Sequence, residues 1–247
     1  MPRLYHFTNY DAACKIIESG RLKFGKSFRM NDLIESNRVV FQRVLTNDVS
    51  DSGMFAEEEM RKYQQISFSQ DREYDGRYFL GFDLHSMWGL YANKGYGVCL
   101  VFDKDKIKFL DCDFAGDVKY SDFVTQDFEF KNKSRAGIKA EVWRRKEEVF
   151  FNKRKEWEYE QEYRVIRRAR KELDLEFLDV SNSLSFVIIC KDYSVCGLDS
   201  MFDGDIYRDL HCLNKRLPVL TYEYGLDGYT LFQEFMVPIW SEQCGFY

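Results

Sequence analysis

The chain has 247 residues, 45% of them hydrophobic and 17% aromatic, with only three prolines. That composition is long and apolar enough for a sizeable core that needs no disulfide staples, and it excludes a disordered chain. A net charge of −5 gives no global field for nucleic acid, although a local basic groove is compatible with it.

In chain order, "LYHF" (4–7) predicts a short strand. Thr8 or Asn9 is placed to cap a helix that carries Ala13, Ile16 and Ile17 and ends at Gly20. "RLKFG" follows as an extended piece, and residues 33–45 and 54–64 predict helices joined by "TNDVSDSG". "QISFSQ" (65–70) predicts a strand running into a polar loop, "DREYDGR". "DLHSMWGLYANKG" (83–95) predicts a helix with Met87, Leu90 and Tyr91 on one face, and "YGVCLVFD" (96–103) a buried strand. Shorter strands are expected in "IKFLDCDF" and "GDVKYS", and a long charged helix over 133–155. "EWEYEQEYRVI" (156–166) alternates like a strand, with Glu158, Glu160, Glu162 and Arg164 on one face. Strands in "LEFLDV", "SFVIIC", "LPVLTYEY" and "YTLFQEF" complete the pattern. This predicts one α+β domain over 1–247, with helices mostly early and strands mostly late.

Several chemistries lack their motifs. GxGxxG, the P-loop, HExxH and G-x-S-x-G are all absent, and His6, His85 and His211 are scattered. No metal site is expected. Seven cysteines without a CxxC pair suggest reduced thiols in the cytoplasm. The opening "MPRLYHFTNYD" has no apolar h-region, and no stretch approaches about 18 uninterrupted apolar residues, so neither a secretory signal nor a transmembrane helix is expected.

Four stretches stand out from an ordinary core, and each also has a plain structural explanation. His6 in "LYHFT" suits the rim of a core. Asn31, Asp32 and Glu35 in "RMNDLIES" suit a turn and a helix cap. Trp88 and Tyr91 suit core packing, and Ser67 and Ser69 share a strand face. Glu160 and Glu162 suit an exposed edge strand. In order, however, "LYHFT", "ND..E", "SFS", "MWGLYANKGYGVCLVFD" and "W-x-Y-E-x-E-Y-R" resemble the bacterial domain-of-unknown-function family numbered 2971 over nearly the whole chain. Leu33 stands where that pattern has proline after "ND".

The same order resembles, more remotely, the ADP-ribosyltransferase fold, which has a split mixed β-sheet. That fold uses a His or Arg on its first strand, an aromatic or Ser-bearing middle segment and a Glu on a later strand. The resemblance implies NAD as a substrate and His6, Tyr91 and Glu162 as the matching triad, with Tyr96 or Phe68 as alternatives for the aromatic. Glu162 and Glu160 match the E-x-E of transferases that use two glutamates. On this reading Glu162 stabilises an oxocarbenium-like ribose and Glu160 orients or deprotonates the acceptor. His6, Phe7 and Thr8 hold the ribose and the nicotinamide amide, and Tyr91 stacks on the ring, with Trp88 beside it on the same helical face and Ser67 in the Ser-bearing segment. Arg164 pairs with Glu162 or a phosphate, and Asn31 and Asp32 face the adenosine or the acceptor.

Basic runs at 144–155 and 164–171 make a nucleic-acid acceptor slightly preferable to a protein side chain. The resemblance further implies a toxin or anti-phage effector, with a cognate inhibitor or antitoxin as partner. Two other readings fit the same residues: a metal-dependent nuclease using Glu160, Glu162 and Asp32, and a non-catalytic nucleotide-sensing module.

Overall fold

The computed structural model describes residues 2–27, 51–74, 76–122, 134–171, 174–192, 210, 217–224 and 230–234. The strands are β1 Arg3–Thr8, β2 Arg21–Lys23, β3 Gly25–Lys26, β4 Tyr63–Gln70, β5 Arg72–Tyr74, β6 Arg77–Phe79, β7 Val98–Asp103 and β8 Asp113–Asp117. They continue with β9 Lys119–Ser121, β10 Asn152–Arg154, β11 Glu162–Arg168, β12 Phe177–Asp179, β13 Leu184–Asp192, β14 Val219–Tyr224 and β15 Thr230–Glu234. Helices cover Tyr10–Ser19, Asp51–Met60, His85–Tyr91, Arg135–Arg144 and Lys146–Phe150. The fold is α+β, as its sequence predicts. The residues group into two compact units, one of 1–20, 73–107 and 180–247, the other of 21–72 and 108–179.

In the first unit the strands run in the order β15-β14-β13-β7-β1, with β13 and β14 parallel and the remaining neighbours antiparallel. All six residues of β7, "VCLVFD", are buried, as expected of a strand with neighbours on both sides and cover on both faces. Asn9 caps the helix Tyr10–Ser19 by accepting from the Ala12 N–H, at 2.8 Å. Gly20 ends that helix at φ 64°, donating to the Ile16 carbonyl. Gly97, before β7, lies so close to β1 that a Cβ there would sit 2.3 Å from the Thr8 carbonyl oxygen.

In the second unit β4, β11 and β8 are antiparallel neighbours, and β3 adds to β4. Helices Arg135–Arg144 and Lys146–Phe150 lay Ile138, Val142, Val149 and Phe150 against Tyr63 and Ile166. Fully burying each such aliphatic chain contributes about 1.5–3 kcal/mol. These helices close over the sheet face to which Glu162, Arg164 and Ile166 belong by strand alternation.

Four local expectations change. "DREYDGR" is not a loop: β5 and β6 pair there around Gly76. The helix expected over 83–95 stops at Tyr91, and left-handed backbone at Asn93 and Lys94 (φ 49° and 60°) breaks it. Its core face is Met87 and Trp88, while Leu90 is exposed. The stretch 133–155 holds two short helices and then β10, because the polypeptide turns at Arg145 and again at Phe151. Finally, residues 155–160 form a 3-10 helix and Gln161 is left-handed (φ 44°, ψ 53°), so β11 begins only at Glu162. The glutamates therefore do not line one strand face.

Candidate active site

The glutamate pair is reached by two different backbones. Glu162 opens β11 and lies directly opposite Ser69 of β4, with Arg164 opposite Ser67, so these four side chains share a sheet face. Glu160 closes the preceding 3-10 helix. The corner at Gln161 is held by its N–H and side-chain amide, both donating to the Glu158 carbonyl, while its own carbonyl accepts from Gln70. Both glutamates are 3% exposed.

Each carboxylate is met by cations. Arg164, fully buried, donates from Nε to Glu162 Oε1 and from Nη2 to Oε2, both at 2.7 Å, and from Nη1 to the Phe150 carbonyl. Lys153 Nζ lies 2.6 Å from Glu160 Oε2 and 3.0 Å from Glu162 Oε2, and 5.1 Å from the centre of the Trp157 ring. The Glu162 N–H donates to the Tyr120 hydroxyl at 2.8 Å. Two anions and two cations thus balance in a dry place, the condition under which buried charge is tolerated.

Burial alone would push the Glu162 carboxyl upward. The charges of Arg164 and Lys153, with hydrogen bonds from Arg164 and Ser67, outweigh it and bring the pKa down to about 2. The Tyr120 hydroxyl is pushed up by burial and by both neighbouring carboxylates, and stays neutral. Ser69 Oγ and Gln65 Oε1, on the same face of β4, and Trp157 Nε1 are buried without a hydrogen-bond partner. Of these, Ser69 Oγ lies directly opposite Glu162, and an unmet polar atom beside a fixed carboxylate is what a polar ligand would satisfy.

The remaining sequence-predicted residues fall elsewhere. His6 and Thr8 are half-buried and alternate with Tyr5 and Phe7 along β1, so the two pairs face opposite sides of that strand. Phe7 and Trp88 do meet, edge to face at 5.2 Å, and both are core residues. Trp88 also stacks on Tyr222 at 5.6 Å and donates to the Phe82 carbonyl, so its ring is engaged inside the first unit. Tyr91 is half-buried at the helix end, Tyr96 is 56% exposed, and Phe68 is core. Asn31 and Asp32 lie outside the described residues. Two features escaped the sequence. Lys153 sits in a charged run that reads as a helix face. Tyr222 joins Asp83 (2.8 Å) and His85 (3.2 Å) through its hydroxyl, across more than a hundred residues of chain.

A family model described as "Protein of unknown function (DUF2971)" matches residues 87–165. The likeness is confined to those residues, about a third of the chain. That region holds Trp88, Tyr91, Lys153, Glu160, Glu162 and Arg164, whereas His6 and Ser67 lie before it. No curated protein and no solved structure matches the chain. Among the described residues, no helix is long and apolar enough to cross a membrane.

Proposed function

We propose that this protein is an NAD-dependent ADP-ribosyltransferase whose ribose-directed carboxylate is Glu162. The observation that supports the reading is the state of that group: bonded by Ser67, Arg164 and Lys153, its carboxyl is held below the usual glutamate range and so is an anion near neutrality. Cleavage of the ribose–nicotinamide bond develops positive charge on the sugar, and a preorganised carboxylate stabilises it without waiting for solvent to reorganise. In this scheme the C–N bond to nicotinamide breaks and nicotinamide leaves with the bonding pair. The acceptor forms the new bond to the same carbon and gives up its proton to Glu160.

A nucleic-acid acceptor remains preferred over a protein, on narrower grounds than the basic runs suggest. Arg144, Arg145, Arg164, Arg167 and Arg168 are engaged by acidic neighbours, while Lys155, Arg170 and Lys171 are exposed. A cytoplasmic toxin or anti-phage effector, with a cognate inhibitor, is the setting that suits such an activity.

One observation favours a second reading. Both oxygens of Glu162 already accept from Arg164, which also suits a structural ion cluster in a non-catalytic sensing module. A metal-dependent nuclease fits less well, because Glu160 and Glu162 are already neutralised by Lys153 and Arg164. Incubation of purified protein with labelled NAD and with RNA, DNA and protein acceptors separates the readings. Wild type should release nicotinamide or transfer label, and Glu162→Gln should lose about 100-fold or more. Equal behaviour of the two proteins would refute the transferase reading. Hydrolysis of nucleic acid that needs Mg²⁺ and no NAD would instead establish the nuclease.

A further inference from the structure

We propose that Lys153 is a positioning residue that holds Glu160 and Glu162 side by side as two anions. Its purpose rests on the transferase reading, but its action on the carboxylates does not. The two glutamates are two residues apart in sequence, yet the backbone does not align their carboxylates: one ends a 3-10 helix, the other begins a strand, and the left-handed Gln161 separates them. What joins them is the Lys153 ammonium, in contact with an oxygen of each at 2.6 and 3.0 Å. Lys153 is itself buried at 6% exposure, carried by β10 and paired in register with Tyr120 of β9.

Among the described residues, groups around this ammonium come from three neighbouring elements. The 3-10 helix brings Glu160, Tyr159 and the Trp157 ring, β11 brings Glu162 with Arg164 behind it, and β9 brings Tyr120. Remove the lysine charge and two buried carboxylates lose the cation they share, while Arg164 stays bonded to Glu162. Under those conditions carboxylates share a proton and titrate as a pair. A proton on either one disables the scheme above, since Glu162 must be an anion toward the sugar and Glu160 must accept the acceptor's proton. Lys153 therefore fixes both the spacing and the joint charge of the pair, without touching a substrate.

The test uses the full chain with 13C-labelled glutamate carboxyls, the Glu160 and Glu162 signals being assigned through Glu160→Gln and Glu162→Gln. In Lys153→Met the Glu162 carboxyl should titrate about one pH unit or more higher than in wild type, and Lys153→Arg should restore most of the difference. Should Lys153→Met not fold, the comparison is made between Glu160→Gln and Glu160→Gln/Lys153→Met, in which the same upward move is expected. Unchanged titration in a folded variant overturns the proposal, and so does failure of arginine to restore it. The pH profile of nicotinamide release supplies the second readout, with the acidic limb of Lys153→Met displaced upward. Absence of any wild-type release would sink the transferase reading while the carboxyl titration still decides the role of Lys153.

Discussion

Arg164 and Glu162, two residues apart on β11, form a closed fork: two parallel hydrogen bonds of 2.7 Å join guanidinium to carboxylate in a place with no exposed surface on the arginine. Planar pairing of this kind combines geometric definition with charge. Truncation of one partner leaves the other as uncompensated buried charge. Arg164→Ala should lower the unfolding free energy by about 3–5 kcal/mol, read by urea denaturation. Arg164→Lys should recover only part of it, since an ammonium cannot reproduce the fork.

Acid stability follows from the same pair. The ordinary glutamate value is 4.5 and the folded one is about 2, so Glu162 binds its proton more readily in the unfolded chain. Its contribution is complete above about pH 4.5 and disappears as pH falls toward 2. The gap between wild type and Glu162→Gln in denaturant midpoint should be constant from pH 6 to 8 and shrink below pH 4.5, by on the order of 3 kcal/mol in total. A gap that is flat down to pH 3 would mean the carboxyl is not held ionised by its neighbours.

Gly97→Ala should destabilise the first unit. The added methyl would meet the Thr8 carbonyl oxygen at 2.3 Å and the Ala92 backbone at 2.7 Å, contacts that only backbone movement relieves. A loss of about 3 kcal/mol is expected, read as a lower thermal midpoint. Chemical shifts should move around Thr8 and Ala92.

Tyr222→Phe isolates a single hydroxyl. The ring stack on Trp88 is kept, while the bond to Asp83 and the contact to His85 are lost. A cost of about 1 kcal/mol in denaturant unfolding is expected. Trp88→Ala, which removes the stacked ring, should cost more, about 3–5 kcal/mol.

Where one residue type dictates the outcome, the sequence was enough. The unbroken apolar run of β7, the Asn9 cap and the Gly20 stop are local signals, and the folded chain follows them. The pairing of Arg164 with Glu162 was also readable, as two opposite charges at strand spacing. The corner at Gln161 was not, because "EWEYEQEYRVI" alternates as well as any strand and glutamine gives no sign of left-handed backbone. Lys153 was hidden for another reason. Its neighbours in the run "NKRK" are exposed or half-buried, and only tertiary packing distinguishes the one lysine turned inward.

The threading of the chain through its two units sets an order of completion during synthesis. The second unit has all its parts once residue 179 has left the ribosome. The first can pair β1 with β7 by residue 103, but it is complete only after β13, β14 and β15 have been made. No single cut separates the units, so dissection into halves would leave each half with missing strands.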